Sequence, residues 1–187
     1  MQYIKESLRR QILETALREF EQVGYDGASM RSISEGAGTS LGNLYRYFRS
    51  KDALYLSCLM PVLEECIRWT GENFDVSASA LALTAREMAH YVSVHRREFR
   101  IIVQGPARHY ADFLDQFTQC IARRLKQHAA DHVVRNPGFY DAVALAFISS
   151  LRGIMEQDES VENTQAYILE LMQFLFAGFD QRMEQLR

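Results

Sequence analysis

Ser29-Met30-Arg31-Ser32-Ile33-Ser34-Glu35-Gly36-Ala37-Gly38-Thr39-Ser40-Leu41-Gly42-Asn43-Leu44-Tyr45-Arg46-Tyr47-Phe48-Arg49-Ser50-Lys51-Asp52 reads as two short helices, a glycine turn between them, and the start of a third. Ser29 supplies a capping hydroxyl, Ile33 and Ala37 lie four apart on one buried side, and Gly38 permits a reversal of the backbone. A second helix opens at Thr39 or Ser40, and Leu44 and Phe48 are its i, i+4 apolar pair. Asn43, Tyr45, Arg46 and Tyr47 then fall on faces that meet solvent or a duplex. This is the pattern of a helix-turn-helix that reads DNA.

Charge supports that reading once it is divided along the chain. The 187 residues carry a formal net charge of -3. Between Gly27 and Lys51, however, Arg31, Arg46, Arg49 and Lys51 face the single anion Glu35. Phosphate neutralisation is local, so a basic head on a neutral or acidic body suffices for binding. Outward from the head, the first helix is expected from Ile4 to Val23, with Leu8, Ile12, Leu13, Ala16, Leu17 and Phe20 at helical spacing and Gly24 ending it. On the other side Ser50 caps a long helix that Pro61 interrupts, and a kink is expected near that proline.

Helical spacing continues to the end. Gly71 to Ser79 reads as a loop, with Ser77 or Ser79 capping a helix that bears Leu83, Met88, Tyr91 and Val92. A short helix covers Glu98 to Gln104, Gly105-Pro106 breaks it, and Tyr110 to about His132 keeps helical register. Asn136-Pro137 provides a cap and first-turn proline for a helix through Met155, and the last helix carries Ile168, Leu171, Leu175 and Phe179. The expected fold is all-α with about nine helices. A three-helix DNA-binding domain occupies residues 1–52, and a helical effector-binding and dimerisation domain occupies 53–187.

Composition excludes several classes. At 48% hydrophobic and 24% charged, the chain has ordinary globular composition. Cys58, Cys66 and Cys120 are odd in number and form no Cys-x-x-Cys pair, which argues against a disulfide framework or zinc site and for a reducing cytoplasm. No stretch reaches the roughly 18 apolar residues of a membrane span, and no signal peptide is evident. His128 and His132 stand four apart, but Ala129 occupies the place a zinc protease motif gives to glutamate, so no metal and no cofactor is expected. No catalytic constellation is evident and no enzyme is expected.

The stretch from about residue 8 to 55 resembles the DNA-binding domain of the TetR family of bacterial transcriptional repressors. The resemblance rests on Gly24-Tyr25, the Ser29 to Ser34 helix, Ala37-Gly38-Thr39-Ser40, the run Gly42 to Phe48, and Ser50-Lys51-Asp52-Ala53-Leu54. Leu41 stands where the family often has a polar or basic residue, and Ser34 where it usually has a small apolar one. Asn43 and Tyr45 are the candidates for base contacts, with Leu41 able to meet a thymine methyl. Arg31, Ser40, Arg46, Tyr47 and Lys51 are the candidates for phosphates, and by the resemblance Gly42 admits close approach of the helix backbone to DNA.

One head spans too few base pairs for specificity, so a homodimer on a roughly palindromic operator is expected, with half-sites about 34 to 36 Å apart or whole-turn multiples of that. The resemblance places the dimer surface on the last two helices, about Phe139 to Met155 and Gln165 to Met183, where Phe147, Ser150, Leu151, Phe174, Phe176 and Phe179 are the candidates. It further implies a pocket for an unknown small-molecule effector, apolar or aromatic, whose binding releases the operator. Its candidate lining is Cys66, Trp69, Met88, Tyr91, His95, Phe99, Tyr110, Phe113 and Phe117. The rival readings are an all-α enzyme or lipophile carrier, and a DNA-binding regulator that senses no small molecule.

Overall fold

The computed structural model describes residues 2–129, 136, 138–157, 160–179 and 181–182. Among them are nine α-helices, one 3-10 turn and no strand: α1 Gln2–Gly27, α2 Met30–Gly36, α3 Leu41–Tyr47, α4 Lys51–Asn73, α5 Leu81–Val94, α6 Arg96–Gln104, the turn Ala107–His109, α7 Ala111–His128, α8 Phe139–Glu156 and α9 Val161–Phe176. The chain divides into two compact units, Met1–Glu64 with Arg97–Tyr110, and Glu65–Arg96 with Ala111–Arg187. The boundaries follow Glu64, Arg96 and Tyr110.

In the first unit α1 is broken at Gly24, whose φ of 71° and ψ of 174° are not helical. One further turn follows, with the Ala28 amide donating to Gly24 O. Ser29 caps α2 by accepting from the Ser32 amide at 3.0 Å. The helix closes in a Schellman motif, the Thr39 amide donating to Ser34 O and the Gly38 amide to Glu35 O, with Gly38 at φ 62°. Ser34 is buried, and its hydroxyl donates to Arg31 O at 2.8 Å, so its polar atom is satisfied within its own helix. Ile12, Ala16, Phe20, Ile33, Leu44, Leu54, Tyr55 and Leu59 form the core.

Arg97 to Tyr110 belong to this unit through named contacts. The Tyr55 hydroxyl donates to Ile101 O at 2.8 Å, and Arg97 grips Glu14 through both nitrogens at 3.0 and 3.1 Å. A Cβ on Gly105 would collide with the Tyr55 hydroxyl and stand 2.9 Å from Ile101 O, so this crossing requires glycine. Helix α4 runs unbroken through Pro61, contrary to the expected interruption, and extends past Gly71.

In the second unit Phe74, Phe147 and Phe176 meet at centroid distances of 5.4 to 6.0 Å around a core completed by Ile121, Leu125, Ile168 and Met172. Helix α5 packs on α9, and α7 and α9 both meet α8. The expected serine cap of α5 is absent: Ala80 is the cap residue and makes no side-chain bond, while Ser77 O takes the Ala80 and Leu81 amides. Ser160 caps α9, accepting from the Asn163 amide at 3.1 Å. Pro137, His132 and Met183 lie outside the described residues, and α9 ends at Phe176, short of the expected bound.

Candidate nucleic-acid interface

The site is built on α3, a helix of seven residues. Ser40 caps it, its oxygen accepting from the Asn43 amide at 3.1 Å. Leu44 and Phe48 are buried, and this anchors α3 by one side and turns Leu41, Gly42, Tyr45 and Arg46 outward. Leu41 is 38% and Tyr45 47% exposed. A Cβ on Gly42 would meet nothing within 4 Å, so the glycine leaves an open notch on the outer surface. Apolar, aromatic and cationic groups therefore share one short convex rod.

Asn43 and Tyr47 lie half-buried on the flanks. Asn43 Nδ2 donates to Thr39 Oγ1 at 2.9 Å, which ties the helix to the turn before it and uses one of the two amide protons. Tyr47 leans toward the ring of Phe48, centroids 6.5 Å apart. Arg31 pairs with Glu35 at 3.1 Å, but both are well exposed, and such a pair holds little energy to oppose exchange for a phosphate.

Lys51 has more to do than the sequence suggested. Its Nζ donates to Tyr25 O at 2.7 Å and Ala28 O at 3.0 Å and sits 4.4 Å from the Tyr25 ring centre. Two of its three ammonium protons close the end of α1, so it is first a fastener of the head, with one proton left for a phosphate.

Beside it, Asp52 Oδ1 accepts from the Tyr25 hydroxyl and meets His109 Nε2, both at 2.5 Å, with Arg108 at 3.7 Å. The bond from Tyr25, then the bond from His109 and the nearby charge of Arg108, hold the Asp52 carboxyl below the usual carboxylate range. This knot fixes the start of α4 against the end of α1. It depends on residues 27 and 57 positions from Asp52, a separation that local patterning does not reveal. Two further cations were not anticipated in the reading set: Arg49 is exposed, and Arg9 of α1 lies 5.5 Å from the centre of the Phe48 ring.

Residues 12–58, which span α1 to the first turns of α4, match the profile described as "Bacterial regulatory proteins, tetR family". Over 88% of its length the chain is 25% identical to the HTH-type transcriptional repressor Rv1474c of Mycobacterium tuberculosis, covering 90% of that protein. Residues 12–58 are thus similar to the TetR family of regulators. Over 56 residues, 30% of the chain, identity rises to 43% with the HTH-type transcriptional regulator RutR of Escherichia coli, a match covering 26% of RutR. The fold is also that of a TetR-family regulator structure from Syntrophomonas wolfei, with TM-score 0.76, 17% identity, and coverage of 93% of this chain and 97% of that one.

The expected effector residues are distributed over both units. Phe99 and Tyr110 fall in the first unit, and the other seven fall in the second. Cys66, Met88, Phe113 and Phe117 are buried as core, Phe113 stacking on Phe117 at 5.5 Å. Burial pushes the Cys66 thiol up to about 12, so it is an unionised packing group at neutral pH. Trp69, Tyr91 and His95 do come together. With Asn73, Arg86, Glu87, His90 and Gln165 they line an open trough of about 730 Å³ formed by α4, α5 and α9.

The expected dimer residues also separate into two groups. Phe147, Phe176 and Phe179 are buried in the second unit's own core, which corrects their assignment to an outer face: an aromatic at helical spacing fits either environment, and these three satisfy the protomer. Phe174 is 81% exposed, Ser150 is exposed and Leu151 half-buried. Leu145, Val161 and Tyr167, at 57%, 41% and 37% exposure, join Phe174 as large apolar side chains of α8 and α9 facing solvent.

Among the described residues no cluster of His, Cys, Asp or Glu is arranged to hold a metal ion, and no helix is long and apolar enough to cross a membrane.

Proposed function

We propose that this chain is a homodimeric transcriptional repressor that reads a roughly palindromic operator through α3 and lets go when a small molecule binds its second unit. The observation that carries the reading is the surface of α3: Leu44 and Phe48 hold the helix from behind while Leu41, Gly42, Tyr45 and Arg46 stand outward. A rod of that size fits a major groove, with Tyr45 and Leu41 set for base edges and methyls and Arg46, Arg31, Ser40 and Tyr47 set for phosphates. The relatives are a repressor and regulators by name, which supports the same reading.

Fluorescence anisotropy of labelled fragments from the region beside its own gene, over a range of salt, tests it. Arg46→Ala is expected to weaken binding to every fragment and to lower the salt slope by about one. Tyr45→Ala is expected to change which fragment is preferred. Absence of salt-sensitive retention on any fragment would refute the reading.

A further inference from the structure

The trough of α4, α5 and α9 has a composition that selects a ligand class. The core direction of α5 is set by Leu81, Thr84, Ala85, Met88 and Val92, all buried, and at about 100° per residue Arg86, His90 and Val94 stand on the opposite side. The trough thus runs over the outer side of α5, and Trp69 and Asn73 of α4 and Gln165 and Leu169 of α9 also line it. Its aromatic surface is Trp69 and Tyr91, the latter 4.7 Å from the His95 ring. Its charged groups are Arg86 and the anion Glu87, and both histidines can donate hydrogen bonds.

We propose that this trough is the effector site and takes a planar aromatic carboxylate, the ring stacked on Trp69 or Tyr91 and the carboxylate forked by Arg86. This rests on the reading of the chain as an effector-released regulator. A guanidinium presents paired donors that match a carboxylate, and flat rings stack on an aromatic wall without enclosure. An alkyl chain finds no closed apolar volume here, and donors outnumber acceptor carboxylates, which favours an anion over a neutral polyol. Gln165 and Tyr167 are two residues apart on α9 and hence about 200° apart around it. The trough and the face bearing Tyr167 and Phe174 are different flanks, and a ligand in one leaves the other uncovered.

Trp69 is the chain's single tryptophan, so its emission reports on the trough alone. The full chain is titrated with benzoate, salicylate and indole-3-acetate by calorimetry, and with benzoate by Trp69 emission. Cyclohexanecarboxylate, benzamide and glucose serve as comparisons. Saturable binding of at least one aromatic acid is expected, with affinity lower by tenfold or more in Arg86→Ala, partly restored in Arg86→Lys, and unchanged in Leu83→Ala, an exposed α5 residue outside the lining. The bound acid is expected to weaken operator binding at least fivefold in the anisotropy assay.

Failure of all three acids to saturate, equal binding by Arg86→Ala, or preference for glucose or cyclohexanecarboxylate would overturn the proposal. Binding without any change in DNA affinity would overturn the effector role. Loss of salt-sensitive DNA retention in ligand-free protein would instead refute the regulator reading itself, so the two failures are told apart.

Discussion

At the scale of single residues the head shows how a side chain expected to meet phosphate also serves assembly. Lys51 lies in a cationic stretch, yet its ammonium binds Tyr25 O and Ala28 O. Lys51→Ala would leave two carbonyls short of a donor and remove the cation from the Tyr25 ring, costing about 1 to 3 kcal/mol. The expected outcome is a melting temperature several degrees lower, with the salt slope of DNA binding lowered by less than in Arg46→Ala. Parallel thermal melts and salt titrations of both variants check it; a K51A protein that melts like its parent while losing a full unit of slope would reverse the assignment.

At the scale of elements, α2, the turn and α3 were legible because their determinants are local. Two serine caps, Gly38 at positive φ and the Leu44–Phe48 anchor all act within a few residues of one another. Legibility failed where distant residues decide. Nothing near Arg97 to Tyr110 announces that they join the head, because Tyr55, Glu14 and Asp52 are what bind them. The effector and dimer aromatics were ambiguous for a related reason: i, i+4 spacing marks a buried face and a pocket wall equally, and only packing separated Phe117 and Phe176 from Trp69 and Phe174. Gly24 is the element-scale test. Its φ of 71° and ψ of 174° lie where almost only glycine is found, and a Cβ there would touch nothing within 4 Å, so backbone strain alone would register. Gly24→Ala is expected to lose about 1 to 3 kcal/mol in a urea unfolding curve of unchanged slope.

At the scale of the whole molecule, α8 and α9 carry a solvent-facing set of large apolar side chains that a lone protomer leaves uncovered, Phe174 foremost at 81% exposure. Small neighbours such as Ala142, Ala146 and Gly153 lie on α8, and a Cβ on Gly153 would meet nothing within 4 Å. This is the surface on which a second copy is expected to dock. Phe174→Arg is expected to shift sedimentation from dimer to monomer and to weaken operator binding strongly while leaving the far-UV spectrum intact. Phe176→Arg would instead unfold the second unit, since that side chain is buried among Phe74, Phe147 and Phe179. A Phe174→Arg protein that remains dimeric would move the contact elsewhere.

The notch at Gly42 places folding and reading in opposition. It is helical, free of the positive φ that would demand glycine, and open in front, so the protomer has no use for a missing side chain there. Alanine is expected to raise thermal resistance by up to about 1 kcal/mol, as in other exposed helix interiors, while standing off the duplex by the width of a methyl group. Variants selected for heat tolerance and variants selected for grip on the operator would then diverge at this codon, and their divergence would measure how closely the rod's backbone descends into the groove.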